Sequence, residues 1–116
     1  MSTVIWHNPR CSKSRETLAL LRSRGIEPEV VHYLETPPTA EEIRHVLALL
    51  RMEPRDLMRR KEPQYREAGL DDPNLSFDAL IEAMAKTPAL IERPVVLAGG
   101  KAALGRPPEA VLAILP

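Results

Sequence analysis

The chain of 116 residues has only one cysteine and carries no net charge, and both features exclude kinds of protein. A single cysteine cannot close an internal disulfide, so the fold does not depend on an oxidising compartment. Sixteen basic and sixteen acidic residues balance, which argues against a nucleic-acid binder that works by counterion release. No apolar run approaches the ~20 residues of a membrane span, and the N-terminus lacks the apolar core of a signal peptide. We therefore expect a cytoplasmic protein without nucleic-acid or membrane partners.

Histidine is scarce as well, because the chain has only three. His7, His32 and His45 are scattered, and no second cysteine is present to join them, so we expect no metal site. Hydrophobic residues make up 44% of the chain, which is long enough to bury one core of ordinary size. We expect a single domain over residues 1–116.

The predicted elements follow the order β-α-β, a helical insertion, and then β-β-α. The opening β-α-β implies parallel strands joined by a right-handed crossover, and Gly99-Gly100 is typical of a hairpin turn. This order predicts an α/β protein of the thioredoxin-like fold, with a four-stranded mixed sheet and a helical insertion over about residues 39–87. The strands are predicted over residues 3–6, 29–34, 94–97 and 101–104, and the helices over 16–24, 39–50 and 54–58, after Ser76 and after Pro107.

Two helix starts are predicted in detail. Thr39 and Glu42 have the spacing of a capping box, in which each side chain hydrogen-bonds the backbone of the other residue. Ser76 is predicted to cap the helix that contains Leu80, Ile81 and Met84.

Cys11 lies where a short apolar strand passes through a polar turn into a helix. The first turn of a helix has backbone N–H groups without partners and the positive end of the helix dipole, and both favour the thiolate over the thiol. Arg10, Lys13 and Arg15 stand in the same turn and are expected to act in the same direction. The same N–H groups can also hold an oxyanion. The alternative is that Cys11 is a small buried apolar residue.

Three arginines outside this turn are candidate oxyanion ligands, because guanidinium groups suit phosphate-like geometry. Arg93 directly precedes Pro94, Arg106 lies in a Gly-Arg-Pro-Pro turn, and Arg59 ends the predicted helix that contains Leu57 and Met58. The alternative for each of them is an ordinary solvated surface charge. The sequence alone does not choose between Arg59 and its neighbours Arg60 and Lys61.

Spacing excludes two well-defined thiol sites. A cysteine phosphatase loop needs arginine at position 17, where this chain has Thr17, and a dithiol redox centre needs cysteine at position 14, where it has Ser14. Any redox cycle must therefore use an external thiol. His7, four residues before Cys11, would lower the thiol pKa if its imidazolium lay nearby; the alternative is a structural histidine bonded to the loop backbone.

Residues 7–15, which read His-Asn-Pro-Arg-Cys-Ser-Lys-Ser-Arg, resemble the signature of the glutaredoxin-coupled arsenate reductases, His-Asn-Pro-x-Cys-x-x-Ser-Arg. Further matches follow in order along essentially the whole chain. They lie at Tyr33-Leu34-Glu35-x-Pro37-Pro38, Leu57-Met58-Arg59, Ile91-x-Arg93-Pro94-Val95-Val96 and Gly105-Arg106-Pro107-Pro108-Glu109-Ala110-Val111.

The resemblance implies an arsenate reductase of the thioredoxin-like fold that needs no bound cofactor. Cys11 would be the nucleophile toward arsenate, with glutathione as co-substrate and glutaredoxin as the protein that resolves the mixed disulfide. Arg59, Arg93 and Arg106 would bind the oxyanion. His7 and Ser14 match positions thought to tune the thiolate, and Arg93-Pro94 would be the cis-proline bond of the fold.

Two other functions stay open from the sequence. The same superfamily contains redox-responsive regulators that bind RNA polymerase, although most of them switch through a Cys-x-x-Cys pair that Cys11 and Ser14 do not provide. The second open function is that of a monothiol glutaredoxin-like protein, which acts on glutathione mixed disulfides.

Overall fold

A computed structural model of the protein describes residues 2–116, and its contacts divide the chain into two compact units. One unit contains the residues up to Thr36 together with Arg93–Pro116, and the other contains Pro37–Glu92. The predicted insertion over about residues 39–87 lies within the second unit, while the single domain stays a prediction. The elements in order are β1 (Thr3–Trp6), α1 (Ser12–Ser23), β2 (Glu29–Val31), α2 (Ala40–Leu50), a 3-10 helix (Pro54–Leu57), α3 (Pro63–Glu67), α4 (Phe77–Lys86), a 3-10 helix (Pro88–Leu90), β3 (Val95–Ala98), β4 (Lys101–Leu104) and a 3-10 helix (Pro108–Ile114).

The first unit is built on a four-stranded mixed sheet in the order β2-β1-β3-β4. Strands β1 and β2 are parallel and are joined through α1, whereas β1 with β3 and β3 with β4 are antiparallel. The predicted α/β class and the predicted mixed sheet are confirmed. Helix α1 ends where Gly25 takes a left-handed φ of 76°, which glycine adopts without steric cost.

The register of the sheet brings three chain segments to one edge. Val95 pairs with Leu104 in the hairpin of β3 and β4, and Val95 also lies opposite Trp6 of β1. Gly99-Gly100 closes the hairpin with φ values of 56° and 76°, the positive angles that a two-residue type I′ turn requires. The end of β1, the start of β3 and the end of β4 therefore meet at the same edge of the sheet.

The core of the first unit lies between the sheet and two helices that cover it. Ile5, Leu21, Val96 and Val111 are fully buried and form its centre. Burying a side chain of this size contributes about 1.5–3 kcal/mol to folding. Partly buried residues that pack against this centre are Leu18, Leu20, Ile26, Val30, Ala103, Ile114 and Leu115.

The second unit is helical, with α2 packed against α4. Both halves of the predicted capping box form, since the Glu42 N–H donates to Thr39 Oγ1 at 3.1 Å and the Thr39 N–H donates to the Glu42 carboxylate at 2.9 Å. Ser76 caps α4 as predicted by accepting from the Ala79 N–H at 3.1 Å.

Several predicted elements differ from the structure, including helix α1, which begins at Ser12 rather than at residue 16. Strand β2 stops at Val31 rather than residue 34, because the His32 carbonyl accepts from the N–H groups of Glu35 and Thr36 and turns the chain. The segments at Pro54–Leu57 and Pro108–Ile114 are 3-10 helices, a form common in short pieces that gain little from α-helical hydrogen bonding. Within the part of the chain that the structure describes, no helix is both long and apolar enough to cross a membrane.

We predict that Thr39→Ala lowers the free energy of unfolding by about 1 kcal/mol, because it leaves the N-terminal amide of α2 without its acceptor. Urea unfolding at neutral pH measures this loss. Thr36→Ala, at an exposed threonine outside the cap, is the control and should change stability little. An equal loss in both variants would contradict the capping role.

Candidate active site

Cys11 occupies the N-cap position of α1, with extended φ and ψ angles of −96° and 123°, and its side chain makes no capping hydrogen bond. Its backbone N–H donates to the Asn8 carbonyl at 3.0 Å, and its own carbonyl accepts the Arg15 N–H at 3.0 Å. Cys11 is 9% exposed, so the residue is mostly out of water. Cys11 is thus in the predicted place, between the end of β1 and the first helical turn.

Asn8 and Arg15 shape the loop that carries Cys11. The Asn8 side-chain oxygen accepts the Arg10 N–H at 3.0 Å, and the Arg15 guanidinium donates to the Pro9 carbonyl at 2.9 Å. Asn8 was not among the predicted site residues, although an Asn-Pro pair is typical of a turn start. The Arg15 charge was expected to favour the thiolate of Cys11. The Arg15 guanidinium instead connects the loop to α1 through its hydrogen bond to Pro9.

Opposing effects act on the pKa of the Cys11 thiol, and the net result is a lowered pKa. Burial raises it, because the thiolate loses hydration. The backbone N–H groups of Ser14 and Lys13 and the charge and hydrogen bond of the Arg93 guanidinium lower it by a larger total. Two of the expected sources, helix-start amides and an arginine, are therefore present, but the arginine is Arg93. The side-chain charges of Arg10, Lys13 and Arg15 are not among the causes.

Arg93 carries unused hydrogen-bonding capacity beside Cys11. Within residues 2–116, its Nε and Nη1 are buried and have no hydrogen-bond partner. A buried, unpaired N–H of a charged group costs free energy, and an anionic oxygen would recover it. The arrangement suits an oxyanion better than a neutral ligand.

Arg106 lies beside Arg93, as the pairing of β3 with β4 requires. Its side chain is exposed, and Nη1 donates to the Arg93 carbonyl at 3.4 Å. The Arg93–Pro94 peptide bond is cis, as the resemblance implied, and so is Arg106–Pro107, which was not predicted. The first unit thus brings together Cys11, Arg93 and Arg106.

Ser14 and His7 form a buried pair beneath the loop. The Ser14 Oγ lies 2.6 Å from His7 Nδ1 and accepts the Asn8 N–H at 3.0 Å. Burial lowers the pKa of His7, and the charges of His32, Arg22 and Arg15 lower it further. His7 is therefore a neutral imidazole at neutral pH, and the expected imidazolium next to the thiolate is not what the structure favours. His7 reaches the loop through the Ser14 hydroxyl.

Arg59, the third predicted oxyanion ligand, belongs to the second unit. Its guanidinium pairs with the Glu62 carboxylate at 2.7 Å and lies 4.0 Å from that of Glu92. Its backbone N–H donates to the Leu90 carbonyl at 2.7 Å, which holds it next to the Met58–Ile91 bridge. The binding role of Arg59 stays a prediction. The described residues, 2–116, contain no group of His, Cys, Asp and Glu able to hold a metal.

The sheet order and the thiol at the start of α1 define a protein of the thioredoxin-like fold. Residues 6–114 match the model of the ArsC family. The chain belongs to the ArsC family.

Relatives with high coverage are consistent with this assignment. An arsenate reductase of Neisseria meningitidis is 55% identical over 112 residues, which cover 96% of this chain and 96% of the relative. The uncharacterized protein YfgD of Escherichia coli is 59% identical over 112 residues, which cover 96% of this chain and 94% of the relative. A solved structure of an arsenate reductase from Vibrio cholerae superposes with a TM-score of 0.97 at 57% identity and covers 99% of this chain and 98% of that one.

We predict that Arg93→Ala raises the pKa of Cys11, because the variant lacks the guanidinium that stabilises the thiolate. The rate of Cys11 alkylation by iodoacetamide, measured against pH, should then rise at higher pH than in the wild type. Arg10→Ala removes the charge next to Cys11 in sequence and should leave the profile unchanged. A shift in Arg10→Ala as large as that in Arg93→Ala would contradict this account of the thiol.

We predict that neutral His7 makes the fold sensitive to acid. The unfolded chain binds a proton at His7 near the ordinary pKa of 6.5, whereas the folded protein binds it only at lower pH. The contribution of neutral His7 to the free energy of unfolding should be fully present above pH 6.5. It should be lost as the pH falls below 6.5 and through the pKa of His7 in the folded protein. Urea unfolding at several pH values should show that the free energy of unfolding falls less with decreasing pH in His7→Gln than in the wild type. The exposed control His45→Gln should follow the wild type; equal pH dependence in all three proteins would refute the prediction.

Proposed function

We propose that this protein is an arsenate reductase in which the Cys11 thiolate attacks arsenic. The observation that carries the proposal is the unpaired, buried guanidinium N–H groups of Arg93 beside a thiol with a lowered pKa. A nucleophile needs the thiolate, and a tetrahedral oxyanion needs donors around it. Family membership and relatives named arsenate reductase support arsenate as the oxyanion.

The first step joins sulfur to arsenic. The Cys11 sulfur supplies the electron pair of a new As–S bond, one As–O bond breaks, and the leaving oxygen takes protons and departs as water. Arsenic stays pentavalent in this adduct. Backbone N–H groups at the start of α1 and the guanidinium groups of Arg93 and Arg106 would stabilise the negative oxygens throughout.

The reduction needs a second thiol, because arsenic must gain two electrons and the chain has only Cys11. We propose glutathione for this role. Its thiolate sulfur bonds to the Cys11 sulfur, the As–S bond breaks, and its electron pair passes to arsenic, which leaves as trivalent arsenite while a mixed disulfide stays on Cys11. Glutaredoxin would then attack the glutathione sulfur, which frees Cys11 and passes glutathione to glutaredoxin. No bound cofactor is required, since thiols supply both electrons.

The remaining residues have supporting roles in the proposal. Ser14 contributes its backbone N–H to the thiolate, and His7 keeps the Ser14 side chain in place. Arg59 is a third oxyanion ligand by its match to the family motif. A cytoplasmic location follows from the chemistry, because reduced glutathione keeps thiols free there.

We predict arsenate-dependent oxidation of reductant when the purified protein is supplied with arsenate, glutathione and glutaredoxin. Consumption of NADPH through glutathione reductase measures it. Cys11→Ser should abolish turnover, because a hydroxyl at that site is neither ionised nor redox-active. If the protein instead acts on glutathione mixed disulfides and shows no arsenate-dependent turnover, it is a monothiol glutaredoxin-like enzyme.

We predict that Arg93→Ala and Arg106→Ala each weaken arsenate binding by about 1.5–3 kcal/mol, the contribution of a charged hydrogen bond, or roughly 10- to 150-fold. Protection of Cys11 from alkylation by increasing arsenate measures the binding. The same experiment on Arg59→Ala tests the third ligand. Arg24→Ala, at the opposite end of α1, is the matched control. Unchanged binding in all three site variants would remove the arginines from the site.

A further inference from the structure

Thr17 is a buried polar residue one helical turn after Ser14. Its side chain is fully buried, and its hydroxyl donates to the Lys13 carbonyl at 2.8 Å. The Lys13 carbonyl and the Ser14 N–H belong to the same peptide group. The Ser14 N–H is one of the two backbone donors to the Cys11 sulfur. The Thr17 hydroxyl therefore bonds the acceptor end of the peptide whose donor end faces the thiolate.

This hydrogen bond has two physical effects on that donor. It holds the peptide plane, so that the N–H keeps its direction toward sulfur. It also polarises the peptide, because a carbonyl that accepts a second hydrogen bond makes the N–H of the same group a stronger donor. In a helix, a threonine hydroxyl bonded to the carbonyl four residues earlier normally brings little stability. Helix stability therefore does not explain why a threonine is buried at this position.

The Thr17 side chain, through both its hydroxyl and its methyl group, also lies against the segment that carries the two arginines. Gly105 is buried, and a Cβ there would meet the Thr17 Oγ1, lie 3.1 Å from Thr17 Cγ2 and lie 2.7 Å from the Pro94 ring. The Gly105 N–H donates to the Pro94 carbonyl at 2.9 Å. Pro94 directly follows Arg93, and Gly105 directly precedes Arg106. Thr17 thus packs against the backbone that connects to both guanidinium groups.

We propose that Thr17 is a positioning residue that sets the cysteine loop against Arg93 and Arg106, and that Gly105 is kept free of a side chain so that Thr17 fits. The hydroxyl orients the Ser14 amide, and the close approach to Gly105 sets the distance between α1 and the arginine-bearing hairpin. The inference rests on the proposed function, since it assigns a role toward the same nucleophile and oxyanion.

The hydroxyl is tested with Thr17→Val, which keeps the shape, and Thr17→Ser, which keeps the hydroxyl. Alkylation of Cys11 against pH is the readout, because a residue with a purely structural role would leave it unchanged. Thr17→Val should slow alkylation at neutral pH about fivefold, the effect of one lost hydrogen bond, and Thr17→Ser should restore the wild-type profile. Ser23→Ala is the matched control, since the Ser23 hydroxyl donates to the Leu20 carbonyl at 2.7 Å on the same helix, and it should change nothing.

The close approach is tested with Gly105→Ala. Displacement of the arginines by about 1 Å should raise the arsenate concentration that half-protects Cys11 by roughly 10- to 100-fold. Gly69→Ala is the control, because Gly69 has left-handed backbone angles but open space where a Cβ would lie. It should lose stability without changing protection by arsenate.

The outcomes separate this inference from the proposed function. An unchanged alkylation profile in Thr17→Val, with protection by arsenate unchanged in Gly105→Ala, overturns the positioning role whether or not arsenate is reduced. If Thr17→Val does not fold, a Thr17→Ser profile equal to that of the wild type together with weakened protection in Gly105→Ala supports the inference, and unchanged protection overturns it. A wild type with an acidic thiol that turns over no arsenate contradicts the proposed function alone.

Discussion

The stabilisation of the Cys11 thiolate by donors around a mostly buried residue is the interaction on which the rest of the site depends. Burial alone would keep the thiol protonated and unreactive. Two backbone N–H groups at the start of α1 and the Arg93 guanidinium reverse that preference. The amides belong to helix α1, and the Nε and Nη1 atoms of Arg93 are buried, so the movement of these groups is restricted. The donors are therefore in place before any substrate arrives, which is the condition under which electrostatic stabilisation is most effective.

The sheet register supplies the second constraint, because it brings residues distant in sequence to one edge. The tight turn at Gly99-Gly100 sets Val95 opposite Leu104, so Arg93 and Arg106 lie at the base of one hairpin. Pairing of β1 with β3 then places the loop after Trp6 at the same edge. The close packing of Thr17 on Gly105 adds a contact between the helix and this hairpin. The backbone geometry of the sheet and of α1 thus brings the thiol, its amides and the residues that carry the two guanidinium groups together.

A lone thiol with oxyanion donors also limits the chemistry. In the proposed reaction, a chain without a second cysteine forms a covalent adduct but cannot complete a two-electron reduction by itself. The proposed use of glutathione and glutaredoxin supplies the missing sulfur. His7, neutral and hydrogen-bonded to Ser14, supports the loop and does not act as a charge beside the nucleophile.

Local patterns in the sequence determined the strand, turn and helix order, the capping box at Thr39, the hairpin at Gly99-Gly100 and the place of Cys11 at the start of a helix. These features depend on backbone preferences over a few residues, which a sequence displays directly. Only the tertiary structure decided which arginine acts on the thiol and that His7 is neutral. Both depend on distance and burial among residues far apart in the chain. Near Cys11 in sequence, Arg15 bonds to the loop and Lys13 pairs with Glu16. Arg93, far from Cys11 in sequence, reaches the sulfur because the sheet pairs β1 with β3.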